Sequence, residues 1–355
     1  MMRRNDFLRI LTAGGVAALA QPRVLLAQPA RPLTFTSWGG AFQEAERQAY
    51  LSPFTTATGI AVMEDNYSGE LARIRSQVET GALIWDIVNV PGPLLELGCE
   101  QGLFETLDWS RIAPTADFLP IAVHECGVGM NAGATVMTYD RDRFPNGGPT
   151  SWADMWDIQK FPGTRGFRFN PKFTLEAALL ADGVRGADVY AVLKAPGGVD
   201  RAFAKLDQLK PHIRWWRSGA ESVQLLASGA YAIASVFYGR VFTLNQQNQR
   251  NFVIVRSAGT FQEFSYYAVL KGSRNLEQAY ALLKFAAQPQ IQANYTRFYP
   301  YGPGNRLAYP LVPSAQRDNL LSPMGADATT IFEDLAFWVE NSEDLLRRFS
   351  AWASR

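Results

Sequence analysis

From Leu33 onward, short apolar runs alternate with stretches whose apolar residues recur every three or four positions. Continuous or two-residue periods belong to strands, and a period near 3.6 belongs to helices. A chain that alternates the two over most of its length packs its helices against a sheet, which makes it an α/β protein. At 355 residues it is long enough for roughly two such layered units.

The individual elements read as follows. Residues 33–38 form a strand ending in Gly39-Gly40, and a helix begins near Ala41 with Phe42, Ala45 and Ala49 on one face. Leu71, Ile74 and Val78 predict a helix capped by Gly81, followed by a strand over 85–90 and a helix over 94–97. The extended stretch 128–139 carries the chain out of the first unit. Ser151 and Asp154 have the spacing of a capping box. Thr174 opens a helix stopped at Gly183; Val199, Phe203 and Leu206 line another that ends at Pro211; Ala220, Val223 and Ala227 line a third. Residues 231–237 and 264–270 read as strands, and Leu276 to Leu283 as a helix running to Pro289. The stretch 288–313, rich in Pro, Gly and Tyr, is expected to be a structured loop.

Residues 1–27 read as an export signal. Arg3, Arg4 and Arg9 precede a short apolar run, with small-residue cleavage sites after Ala20 and Ala27. The run is too short for a permanent membrane span. Arg3-Arg4 followed by Phe7-Leu8 resembles a twin-arginine motif with one extra residue, which leaves both export routes open. The whole chain carries a formal charge of +1, and removing 1–27 takes four arginines and one aspartate with it, leaving −2. So small a charge argues against a nucleic-acid partner. An exported chain can oxidise its thiols. For Cys99 and Cys126 the spacing leaves two buried free thiols and a disulfide both open.

The chain has two His, 88 residues apart, and neither sits in a metal-binding spacing. There is no G-x-S-x-G elbow, phosphate loop or dinucleotide fingerprint. No catalytic residue, metal or cofactor is therefore expected. What stands out is an aromatic content of 12%. Trp38 ends a strand before two glycines, and Phe237-Tyr238 end another before Gly239. Tyr299-Pro300-Tyr301 lie in a rigid loop. Ligands of open α/β sheets sit beyond the carboxyl ends of strands, and rings there can grip a solute by their faces. The remaining tryptophans, Trp338 among them, read as structural. Arg165, Arg168 and Arg240 are the groups that would meet an anion, and Glu263 and Glu176 are the acidic candidates.

Several runs resemble the extracellular solute-binding proteins of ABC importers, in the spermidine/putrescine-binding branch. They are 33–38 with its following helix and Thr58-Gly59-Ile60, then Trp85-Asp86-Ile87-Val88, Thr150-Ser151-Trp152-Ala153-Asp154-Met155-Trp156, and Tyr301-Gly302-Pro303-Gly304-Asn305. The resemblance implies a two-lobed periplasmic binding protein joined by hinge strands, with 31–137 and 266–311 in the first lobe and 138–265 and 312–355 in the second. It implies a monomer that captures a small solute between the lobes and delivers it to an inner-membrane permease, without chemistry. Trp38, Phe237 and Tyr301 match ring positions of the family's cleft. Ser265, with Glu263 nearby, falls where the family grips an ammonium group with an aspartate, and Pro91 and Pro93 replace its hydroxyl residues. The site is thus expected to comprise Trp38, Phe237, Tyr238, Glu263, Ser265 and Tyr301. The expected solute is a polyamine or related amine, with an anionic solute or, less readily, an exported enzyme as alternatives. Ferric-ion relatives use adjacent tyrosines, where this chain has Phe237-Tyr238.

Overall fold

The computed structural model describes residues 31–248, 251–320 and 330–355. The expected export signal lies outside the described residues. Among the described residues, twelve strands form one sheet. They are β1 Leu33–Ser37, β2 Val62–Asn66, β3 Ile87–Pro91, β4 Val123–His124, β5 Gly127–Asp140, β6 Arg165–Arg168, β7 Ile213–Trp216, β8 Ile233–Phe237, β9 Phe252–Val255, β10 Thr260–Val269, β11 Gly302–Pro303 and β12 Thr330–Phe332. The main order is β2-β1-β3-β10-β5-β8-β6-β7. Parallel strands at each end, β2-β1-β3 and β8-β6-β7, are linked through the antiparallel β10 and β5.

Strand β5 belongs to both ends. Its first half pairs with β4, β10 and β11, and its second half with β8 and β9. The buried apolar residues divide at the same place. The largest cluster draws mainly on Leu33 to Val136 and Phe264 to Tyr301, and the others begin at Met137 and include Phe261 and the helix Leu335–Ala353. Strands β5 and β10 therefore contribute side chains to the cores on both sides of this division.

The strand-to-helix turn after β1 is made by Gly39 and Gly40, with φ of +64° and +60°, a region that costs glycine little. Helix Gly40–Glu46 then passes through a π-turn at Arg47–Leu51 into Ser52–Thr58, burying Phe42, Ala45 and Ala49. Ser151 and Asp154 form the capping box, each side chain accepting from the other's backbone N–H. The stretch 288–313 departs from the expected loop. It holds a helix, Pro289–Tyr295, then β11 and a 3-10 turn over Arg306–Leu311. Pro289 begins that helix instead of ending the one before it, because a first-turn N–H needs no partner. Cys99 and Cys126 are joined as a disulfide, Cα atoms 5.9 Å apart, tying helix Gly92–Glu100 to the β4–β5 turn. No helix among the described residues is long and apolar enough to cross a membrane.

Candidate functional site

A cavity of about 590 Å³ opens where the two ends of the sheet face each other. The ends of β1, β3 and β8 reach it, as does the start of helix Gly219–Ala227. Trp38 forms one wall and stacks on Tyr67, ring centroids 5.0 Å apart and 28° from parallel. Its indole donates to Asn89 Oδ1 at 3.0 Å, while the Tyr67 hydroxyl donates to the Asn89 carbonyl at 2.7 Å. Tyr299 and Tyr301 form an edge-to-face pair, centroids 4.8 Å apart, behind the same cavity. Gly133 makes room for Tyr301, since a Cβ there would lie 2.7 Å from its ring, and Gly239 does the same for Tyr299.

Charge is distributed unevenly around this space. Arg168, Lys172, Arg217 and Arg240 line it, against the single carboxylate of Glu263. Lys172 Nζ donates to Glu263 at 2.6 Å and to Glu333 at 2.8 Å. Burial lowers the Lys172 pKa, and the two carboxylates more than offset it, so Lys172 is held above its ordinary range. Burial raises Glu333, with Lys172 opposing it. Glu263 is thus already engaged. Arg168 sits over Phe237 at 5.5 Å and Arg217 over Phe169 at 4.0 Å. Burial pulls the Arg168 guanidinium below its usual range, against the pull of Glu263.

Arg240 is the unusual member. It is 7% exposed, lies in the cavity wall and has no carboxylate partner among the described residues. Its Nη2 donates only to the carbonyls of Trp38 at 3.3 Å and Gly39 at 3.4 Å. A Cβ on Gly219 would come within 2.1 Å of its Nε, so the helix start at Gly219 is shaped around this guanidinium. The N-terminal end of that helix, positive by its dipole, faces the same space through Ser218, Gly219 and Ala220. Buried charge without a counter-charge is costly. The lining thus leaves one buried guanidinium in the cavity wall held only by two backbone carbonyls.

Of the residues expected from sequence, Trp38, Phe237, Glu263, Ser265 and Tyr301 line this cavity together. Tyr238 does not. Strand β8 stops at Phe237 and a helix begins at Tyr238, which turns the neighbouring side chain into the interior, where its hydroxyl donates to Asn319 O at 2.6 Å and accepts from Arg256. Arg168 and Arg240 line the cavity, but Arg165 does not: it is fully buried, its guanidinium donating to the carbonyls of Met155, Asp157, Phe161 and Gly163. Glu176 is likewise interior, accepting from Tyr190 at 2.9 Å and Trp338 at 3.0 Å. Sequence reading missed Tyr67, Arg217 and Trp338, all of which line the cavity. Tyr67 carried a usable signal, since Tyr67-Ser68-Gly69 follows a strand as Trp38-Gly39 does. Among the described residues, the one group of potential metal-ligating atoms is Cys99, Glu125 and Cys126, and both its sulfurs are in the disulfide.

Two parallel sheet ends joined by shared antiparallel strands, with a ring-lined cavity between them, define a periplasmic binding protein fold. Residues 49–322 match the bacterial extracellular solute-binding protein family, and the chain belongs to it. It is a solute-binding protein and not an enzyme. A gamma-aminobutyric acid-binding protein from Pseudomonas aeruginosa is 41% identical over 91% of both chains. A GABA receptor of known structure superposes with a TM-score of 0.79 at 32% identity, over 91% of this chain and 97% of that one. The putrescine-binding periplasmic protein SpuD of P. aeruginosa is 25% identical over 90% of both chains.

Proposed function

We propose that this protein is the periplasmic receptor of an ABC importer and that its solute is a short ω-amino acid of the γ-aminobutyrate type. The observation that carries this reading is Arg240, a buried guanidinium in the cavity wall that lacks a carboxylate partner among the described residues. A solute carboxylate supplies that partner through a charge-assisted fork. The ammonium end lies over the Trp38–Tyr67 wall, where ring faces attract a cation. Phe237 and Tyr301 close the sides, and Ser265 and Glu263 supply polar contacts.

A polyamine fits this cavity poorly. It carries positive charge at both ends, and the lining is itself predominantly positive, with Glu263 already shared with Lys172. The relatives that bind γ-aminobutyrate are also more similar than the putrescine-binding one. The cavity of about 590 Å³ exceeds what a four-carbon amino acid fills. We therefore read the two cores as lobes that close over the solute by bending at β5 and β10, as hinge-closing receptors do. Export to the periplasm and delivery to an inner-membrane permease, by a monomer, complete the proposal.

A thermal-shift panel on the purified protein tests the solute class. At one hundred times its dissociation constant, γ-aminobutyrate should stabilise the protein by about 2.7 kcal/mol, and putrescine and spermidine should leave the Tm unchanged. Stabilisation by the polyamines and not by ω-amino acids would overturn the reading.

A further inference from the structure

Glu46 lies beneath the Trp38 wall, fully buried and without a cationic partner among the described residues. It sits at the entry to the π-turn Arg47–Leu51, which keeps Glu46, Ala49 and Tyr50 all facing inward. Local π-turns of this kind often accompany functional positions. Its Oε1 accepts from Asn89 Nδ2 at 2.7 Å and from the Tyr267 hydroxyl at 2.8 Å. Asn89 in turn accepts the Trp38 indole N–H at 3.0 Å through its Oδ1, and its backbone carbonyl accepts the Tyr67 hydroxyl at 2.7 Å. One carboxylate therefore fixes the amide of Asn89, and Asn89 holds both rings of the stacked wall.

We propose that Glu46 is a positioning residue for the Trp38–Tyr67 wall and that its charge state sets how this wall meets the solute. The role of that wall in holding an ammonium group rests on the solute class proposed above. The groups facing Glu46 are Tyr50 on its own helix, Glu64 on β2, Tyr67 after β2, Tyr267 on β10, and Tyr295 and Tyr299 near the helix Pro289–Tyr295. None of these is a cation. Burial raises all five phenols above their ordinary range, so none ionises near neutral pH. Burial also pushes the Glu46 carboxyl up to about 7.

The consequence has a definite sign. Ionised Glu46 accepts both hydrogen bonds and adds negative charge below the wall, which favours a cationic group above it. Protonated Glu46 removes that charge and competes as a donor in the network. Affinity for an amino acid whose ammonium lies over Trp38 therefore rises with pH across neutrality. Solute binding, by reciprocity, releases a proton from Glu46.

The test has two readouts. The first is the Trp38 indole N–H resonance in solute-free protein, assigned by its loss in Trp38→Phe and followed from pH 5.5 to 8.5 on the scale where Glu46 titrates, near 7. It should shift with a midpoint near neutral pH in the wild type and stay still in Glu46→Gln, whose amide oxygen can keep both hydrogen bonds. In Asn89→Leu, which leaves Glu46 intact and removes the relay, the shift should also vanish. A resonance that does not move, or that still titrates in Glu46→Gln, overturns the proposal. The second readout is the dissociation constant for γ-aminobutyrate at pH 6 and pH 8. It should tighten by about fivefold in the wild type and remain flat in Glu46→Gln. An equal slope in Glu46→Gln overturns the coupling. If the resonance titrates as stated and γ-aminobutyrate does not bind, the solute class fails while the positioning role stands.

Discussion

Arg240 reaches from the start of helix Tyr238–Asn248 to the backbone carbonyl of Trp38, its Nη2 3.3 Å from that oxygen. The contact joins the end of β8 to the end of β1, so the guanidinium and the ring wall are part of one surface. A guanidinium that stabilised the fold through its charge would be expected to have a carboxylate at hand. This one has two long bonds to carbonyls, the observation on which its proposed role toward a solute carboxylate rests.

Replacing Arg240 by alanine is expected to weaken solute binding by roughly 100-fold, because a charge-assisted fork is lost in a buried setting. Lysine should recover only part of this, since it keeps the charge and loses the planar fork. Isothermal titration with γ-aminobutyrate measures both. Gly219→Ala should behave like a milder Arg240 variant, because its methyl would lie 2.1 Å from Arg240 Nε. Thermal stability of Arg240→Ala without solute should equal or exceed the wild type, as a buried unpaired charge is gone.

Two fully buried carboxyls, Glu46 and Glu176, are each pushed up to about 7 by burial from an ordinary value of 4.5. Between those values the folded protein keeps protons that the unfolded chain releases. Stability from these groups is therefore complete below pH 4.5 and is lost as pH rises through 7, by at most about 3 kcal/mol each. Glu176→Gln should raise the Tm by several degrees at pH 8 and change it little near pH 5. Calorimetric scans across that range check it, and an unchanged difference between the two pH values would contradict it.

Lys172 sits between Glu263 and Glu333 at 2.6 and 2.8 Å. In Lys172→Met two largely buried carboxylates face each other with no cation. Urea unfolding at pH 8 should show a loss of about 3–5 kcal/mol. The loss should shrink as pH falls, because a proton on one carboxyl relieves the uncompensated charge.

Reduction of Cys99–Cys126, a bridge between residues 27 apart, should cost about 3 kcal/mol by releasing the unfolded chain. The expected result is a Tm drop of several degrees in dithiothreitol, matched by Cys99→Ser/Cys126→Ser and not increased when the two are combined. Neither cysteine lines the cavity, so solute affinity should stay within about twofold.

Part of the candidate cavity lining was legible because a strand-end ring followed by glycine is a local pattern. Trp38 and Phe237 were found that way, and Tyr67 could have been. Tyr238 shows the limit. It follows Phe237 directly, and one change from strand to helix sends the two side chains in different directions. Trp338 was read as structural because nothing in the helix Leu335–Ala353 tells that one of its rings reaches a cavity built by the other end of the chain.

The α/β alternation, the helix caps and the rings at strand ends were determined by sequence alone, because each depends on residues within a few positions of one another. Which charges remain available was decided by tertiary structure. Glu263 reads as a free ammonium ligand until folding brings Lys172 against it from 91 positions away, and Glu333 joins from 161 positions beyond that lysine. Arg165 and Arg240 look alike in sequence, yet folding surrounds the first with four carbonyls away from the cavity and leaves the second in the cavity wall with two long bonds. Charge compensation is a through-space property, so no local pattern in the sequence shows which of these charges folding neutralises.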